Sequence, residues 1–242
     1  DHRDLHSFPT RRSSDLFWVV LILFTIVKSK IVHYSSMCYF PLTFLAALTI
    51  DKIISGEIRL NGWMKFGVWA IAGVFILAVV AMPFLAMNIE VLKPMFNDPF
   101  AQANLEADVR WTGWEVIPGV FLLGVMATSF YFFRRKDDWR GFQILFVGTG
   151  VFVLLTLIFF IKRIEGYSQR AAIEFFESKI GQDCYVVPHG YRTYAHLFYT
   201  RKQKVTNEKS YDRDWLYTGD IDKDVFVVAK IQSAHEVAEI PG

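Results

Sequence analysis

The sequence lacks most of the signatures that announce metal or nucleophile chemistry. Its 242 residues hold two cysteines, Cys38 and Cys184, and neither belongs to a C-x-x-C pair. A zinc site and a disulfide framework are therefore not indicated, and two buried free thiols are expected. His33, His189, His196 and His235 have no i, i+4 partner and no H-E-x-x-H setting, so metal catalysis has no support. No glycine-rich phosphate loop follows a strand-like run, and no Ser or Cys stands in a nucleophile elbow. Asp220-Ile-Asp222-Lys-Asp224 begins like a calcium loop, but Val225 falls where the sixth-position glycine is needed and Ile231 where the twelfth-position carboxylate is needed. No metal, no cofactor and no nucleic-acid partner are expected.

What the chain has in quantity is apolar surface. Its composition is 53% hydrophobic with 23 Phe, in long runs outside the usual range of soluble domains. The first sixteen residues, DHRDLHSFPTRRSSDL, match the translation of a sequencing-adapter oligonucleotide and are set aside as non-native. The native reading frame is then expected to begin near Phe17, inside a longer gene. Removing three Arg and three Asp with that segment leaves the net charge at +2.

A helix that crosses the hydrocarbon core needs about 20 mostly apolar residues. Five runs are candidates: a truncated one at 17–27, then 37–54, 66–87, 116–133 and 142–161. Their apolar cores carry no Asp, Glu, Lys, Arg or His, unlike ion-coupled transporters and proton relays. The connections 51–65 and 134–141 hold seven Lys and Arg, against four in 28–36 and 88–115. The first pair is thus expected on the cytoplasmic side, and the second pair outside with everything after residue 161. Arg134-Arg135-Lys136 reads most simply as part of that topology signal, with binding of anionic membrane-lipid headgroups as the lesser alternative.

In the outer connection, Asn97-Asp98-Pro99 offers a helix cap followed by proline at a first helical position, opening a short helix over 101–109. Trp111 and Trp114 read as interfacial anchors in preference to sugar-stacking rings. Beyond residue 162 a small α/β domain is expected. It comprises an amphipathic helix over 165–180 with Ala172, Phe176 and Ile180 on one face, ended by Gly181. Strands follow at 183–188 and 224–231, with a helix over 191–200 and a polar loop over 201–214. Ser233-Ala-His-Glu236 reads as a capping box.

Between the first two apolar runs lies Thr25-Ile-Val-Lys-Ser-Lys-Ile-Val-His-Tyr-Ser-Ser-Met37. Lys28 and Lys30 could simply snorkel to the interface. With His33 and Tyr34 they also gather donors suited to a phosphate on a lipid tail, which would rest at that depth. The run Phe24 to Tyr34, followed by Cys38-Tyr-Phe-Pro41-Leu-Thr-Phe-Leu-Ala-Ala47, resembles the K-G-K-L-P-T-Y region and next helix of the lipid A aminoarabinose transferases. Those are GT-C integral-membrane glycosyltransferases (glycosyltransferase family 39-like) related to the protein O-mannosyltransferases. Val32 and His33 replace the Pro-Thr pair, so the donor sugar does not carry over.

The resemblance implies the C-terminal part of a polytopic helical membrane protein of GT-C type, followed by a small extracytoplasmic α/β domain. Its implied activity is sugar transfer from a polyprenyl-phosphate donor to a lipid, glycan or protein acceptor at the outer face of the inner membrane. Lys28 and Lys30 match the family's two lysines and would contact the lipid phosphate. Tyr34 would support them, and His33 joins by proximity. The acidic residue that activates the acceptor in the family belongs to an earlier outer loop, so no catalytic residue is expected here. The rival expectation is a non-catalytic membrane protein: a transporter half, or a sensor with an extracytoplasmic domain that binds a ligand or partner.

Overall fold

A computed structural model describes residues 4–26, 36–202 and 207–240. The chain is mostly helical, and the described residues divide into two compact units, 1–74 with 122–150 and 75–121 with 151–242.

In the first unit, α1 (Asp4–Ile26) packs against α2 (Tyr39–Ile54), which a 3-10 turn, Ser36–Cys38, introduces. The helix α1 runs back through the segment read as non-native. Its apolar part, residues 16–26, still covers only about 16 Å at 1.5 Å per residue, too short to cross a bilayer. The long helices α3 (Gly62–Met87), α6 (Ile117–Arg134) and α7 (Asp138–Ser168) each contribute to both units. A core of Ile53, Phe133 and Phe142 gathers Ile50, Ile58, Leu60, Met64, Phe130 and Leu145 around it. Phe133 meets Phe130 and Phe142 edge-on, with centroids 5.6 and 5.0 Å apart.

The turn between α6 and α7 is tight, with Lys136 at φ 61°. The two helices then approach so closely that a Cβ on Gly141 would lie 2.4 Å from the Phe133 ring, and one on Gly148 would lie 2.4 Å from a Val125 methyl. The fully buried Ser129 hydroxyl donates to the Gly141 carbonyl at 2.8 Å. Small residues and an interhelical hydrogen bond are the means by which helices associate where no hydrophobic effect drives them together.

Among the described residues, four helical segments are long and apolar enough to cross a membrane: Ser36–Ile54, Gly62–Met87, Trp114–Arg134 and Asp138–Ser168. They coincide with the four full-length runs expected from sequence. In three of them only 17% of the most apolar window is buried within the structure. Helices this apolar and this uncovered suggest a membrane protein. The helices also reach past the charge-free runs: Glu115, Asp138, Arg140, Lys162, Arg163 and Glu165 all lie on candidate spanning segments.

The second unit contains the connection 88–116 and the strand domain. In the connection, a single turn, α4 (Ile89–Leu92), precedes α5 (Pro99–Leu105). Asp98 caps α5 by accepting from the Phe100 N–H at 3.1 Å, with Pro99 at the first helical position. The cap is where the sequence puts it, but the helix starts earlier than 101 and ends at 105. The amphipathic helix expected over 165–180 is divided. Residues 165–168 complete α7, Gln169 interrupts at φ −128°, and α8 (Arg170–Ser178) follows. Gly181, at φ 76°, turns the chain away.

Strands β1 (Cys184–His189) and β2 (Asp224–Ala229) pair in parallel, with Cys184 opposite Asp224 and His189 opposite Ala229. The crossover between them carries α9 (Ala195–Tyr199), a 3-10 turn Glu208–Tyr211 and α10 (Arg213–Thr218), and α11 (Ala234–Ala238) closes the domain. The expected polar loop over 201–214 is thus partly helical, and the expected helix over 191–200 shrinks to five residues. Two strands alone are marginal. Phe176, Cys184 and Val186 supply the missing core, with Ala172, Phe175, Ala195, Tyr199, Phe226 and Val228. Ile180 stays exposed and Phe175 takes the place expected for it.

Gly148→Leu should force the α6–α7 pair apart and lower detergent-phase stability by about 1–3 kcal/mol, the cost of overpacking. Gly150→Leu, at a position with open space around the missing Cβ, should be nearly neutral. Equal melting shifts in the two variants would remove the close-packing account.

Candidate functional site

Lys28, Lys30, His33 and Tyr34 lie outside the described residues. The helices on either side are described: α1 and α2 pack on each other. At the start of the second, Met37, Tyr39 and Phe40 are exposed.

The described residues contain two polar clusters that sequence reading did not assemble. The first surrounds Glu115, whose side chain is fully buried. Thr112-Gly113 turns with Gly113 at φ 85°, a conformation that favours glycine. The turn aims the Gly113 N–H at the carboxylate at 2.8 Å and the Thr112 hydroxyl at 2.9 Å, with the Thr112 N–H at 3.3 Å. The Arg163 guanidinium, on α7, closes the set as an ion pair with Glu115. It also donates to the Phe159 carbonyl at 2.6 Å and lies 5.7 Å from the centre of the Trp111 ring.

Trp111 in turn donates its indole N–H to the Tyr167 hydroxyl at 2.9 Å and stacks edge-on against Phe160. A Cβ on Gly166 would come within 2.7 Å of Val109, so segment 109–115 lies directly on the last turns of α7. Trp111 is therefore a packing residue tied to α7, a correction to its reading as an interfacial anchor. Trp114, 69% exposed, keeps its ring outward. With four donors committed to it, the Glu115 carboxylate is an anchored anion and a poor candidate for a base. The signal that could have revealed the pair is topological. Glu115 opens one apolar run and Arg163 closes the next, and alternate spans bring those two ends to one level.

The second cluster sits at the carboxyl edge of β1. His189 Nδ1 lies 3.0 Å from the Tyr217 hydroxyl and Nε2 lies 2.9 Å from a Glu236 carboxylate oxygen. With neutral imidazole the partners fix the tautomer: Nε2–H donates to Glu236 and the phenol donates to Nδ1. Burial pushes the Tyr217 phenol above its usual range, so the proton stays on oxygen. The cluster ties α10 and α11 to the end of β1. It also explains why the expected capping box does not form. Glu236 is drawn to His189, and Ser233 makes no side-chain cap bond.

The acidic run at 220–224 is likewise used internally. Asp222 accepts from Tyr185 at 3.0 Å, and Lys223 pairs with Asp183 at 2.6 Å. Desolvation pushes Asp222 up, but hydrogen bonds from Tyr185, its own backbone and Asn207, with Lys223 beside it, hold it below its usual value. Burial, outweighing a backbone hydrogen bond at Thr193 and reinforced by Arg213, lowers His196, whose Nδ1 is buried without a partner. Among the described residues no group of three His, Cys, Asp or Glu converges as metal ligands would.

Compared with protein-family models, curated proteins and solved structures, the chain matches none.

Glu115→Ala should strand the Arg163 charge and the Thr112 and Gly113 donors, costing about 3–5 kcal/mol. Replacing both partners, with Glu115→Leu and Arg163→Met, should recover much of that loss. Thermal melting of the purified protein with a double-mutant cycle reads the coupling. A coupling near zero would mean that the pair does not hold these segments.

Proposed function

We propose that the chain is part of a GT-C-like membrane glycosyltransferase that moves a sugar from a polyprenyl-phosphate donor to a lipid, glycan or protein acceptor at the outer face of the inner membrane. The observation that carries the reading is the run Lys28-Ser-Lys30-Ile-Val-His33-Tyr34, directly ahead in sequence of a helical segment long enough to span. Two ammonium groups there would take up the negative charge that grows on the departing lipid phosphate. This requirement is met by positioned cations. The tyrosine would add a directional donor. No base for the acceptor hydroxyl is assigned among these residues.

If the four candidate spans alternate across a bilayer, residues 28–36, the connection 88–116 and the strand domain would share a side, and the excess of Lys and Arg in the other two connections supports reading that side as the outer one. A non-catalytic reading, as a transporter half or a ligand-binding sensor, draws on one observation. Glu115 and Arg163 are ionisable groups on candidate spanning segments, and such groups often mark transport paths. Their mutual neutralisation and the four donors gathered on the carboxylate favour a structural role.

In a preparation that transfers sugar from a polyprenyl-phosphate donor, Lys28→Ala and Lys30→Ala should each reduce kcat/KM by on the order of 10²-fold, the usual loss for one charge-stabilising donor. Unaltered kinetics in both would dispose of the phosphate contact. For topology, a membrane-impermeant thiol reagent applied from outside should label Glu208→Cys and spare Asp138→Cys. The opposite pattern would invert the sidedness.

A further inference from the structure

The strand domain presents an aromatic surface at α9. Tyr194 is 84% exposed, Phe198 75% and Leu197 46%. Their i, i+3 and i, i+4 spacing puts them on neighbouring positions of one helix face. The exposed Arg192 and Arg201 flank them, and Arg201 ends the helix in a left-handed conformation at φ 50°. From 191 to 213 there are six Lys and Arg against two Asp and Glu. Tyrosine and phenylalanine rings beside guanidinium groups are the composition of a membrane-interface contact. The rings enter the headgroup boundary while the cations pair with lipid phosphates.

The tether says which surface lies within reach. The charge-free part of α7, residues 142–161, rises about 30 Å, the thickness of the hydrocarbon core. Residues 162–168 add roughly 10 Å more, about the depth of the headgroup layer. Only Gln169 then separates α7 from α8. With no flexible linker, the strand domain begins at headgroup level.

We propose that the face formed by Tyr194, Leu197 and Phe198, with Arg192 and Arg201, docks on anionic phospholipid headgroups of the bilayer that the chain itself crosses. The contact fixes the strand domain against the membrane and covers apolar side chains that the fold leaves open. It rests on the membrane reading alone and stands or falls independently of sugar transfer.

The test uses the full chain in nanodiscs of phosphatidylcholine with or without phosphatidylglycerol. A nitroxide is placed at Phe198→Cys. Cys38 and Cys184 are both buried, and the unsubstituted protein serves as the labelling blank. In anionic nanodiscs the label should lose collisions with an aqueous nickel chelate and gain them with oxygen. Arg192→Gln with Arg201→Asn, asparagine being tolerant of positive φ, should shift the docked equilibrium roughly thirty-fold toward water, given the usual contribution of each cation near an anionic surface. Hydrogen exchange of residues 194–201 in the unsubstituted protein should slow in the same lipid, which makes the result independent of whether the variants fold. Equal nickel accessibility in anionic nanodiscs, neutral nanodiscs and detergent overturns the proposal. So does lipid-independent shielding from both reagents, which would assign the face to a protein partner.

Discussion

Much of the second unit depends on one buried charge pair. Glu115 stands at the entrance to α6 and Arg163 at the exit of α7, where both chain ends must leave the apolar runs. Either ion alone would carry a desolvation penalty of several kcal/mol. Together, with the Thr112 and Gly113 donors and the Phe159 carbonyl, they form a set in which the carboxylate and most of the guanidinium are satisfied. The carboxylate also shapes the chain around it. The left-handed Gly113 exists to present its N–H there, Trp111 is drawn onto Phe160 and Tyr167, and the connection from α5 is held down.

The other long helices follow a different rule. Where α6 and α7 approach, side-chain volume is removed and not added. Gly141 and Gly148 admit Phe133 and Val125, and Ser129 reaches the Gly141 carbonyl. Close backbone approach yields dispersion contacts that do not depend on expelling water, which suits helices whose remaining faces are apolar and uncovered. The strand domain returns to water-driven packing, with Phe176, Cys184 and Val186 buried under helices on a sheet too small to stand alone.

Legibility in the sequence tracked the range of the interactions involved. The four long apolar helices were visible because runs of about twenty uncharged apolar residues have few other fates. The Asp98 cap and the Gly181 stop were visible because their partners lie two or three residues away. The capping box at Ser233 failed because Glu236 found a longer-range partner, His189, forty-seven residues distant. The long amphipathic helix failed because its first turn simply continued α7, and a periodic pattern does not show where a backbone breaks. Trp111 was misread because an indole at a span boundary looks the same whether its N–H meets a headgroup or Tyr167.

The sequence by itself determined four long apolar helices, the charge asymmetry of their connections, the existence of a small α/β domain and the concentration of cationic donors at Lys28 and Lys30. Each follows from local composition, which folding cannot alter. Only the tertiary structure decided that Glu115 meets Arg163, that His189 joins Tyr217 to Glu236 and that β1 and β2 run parallel. Those pairings bring together residues tens of positions apart. Coulombic and hydrogen-bond energies act through space, so only the folded path of the chain sets which groups come within about 3 Å.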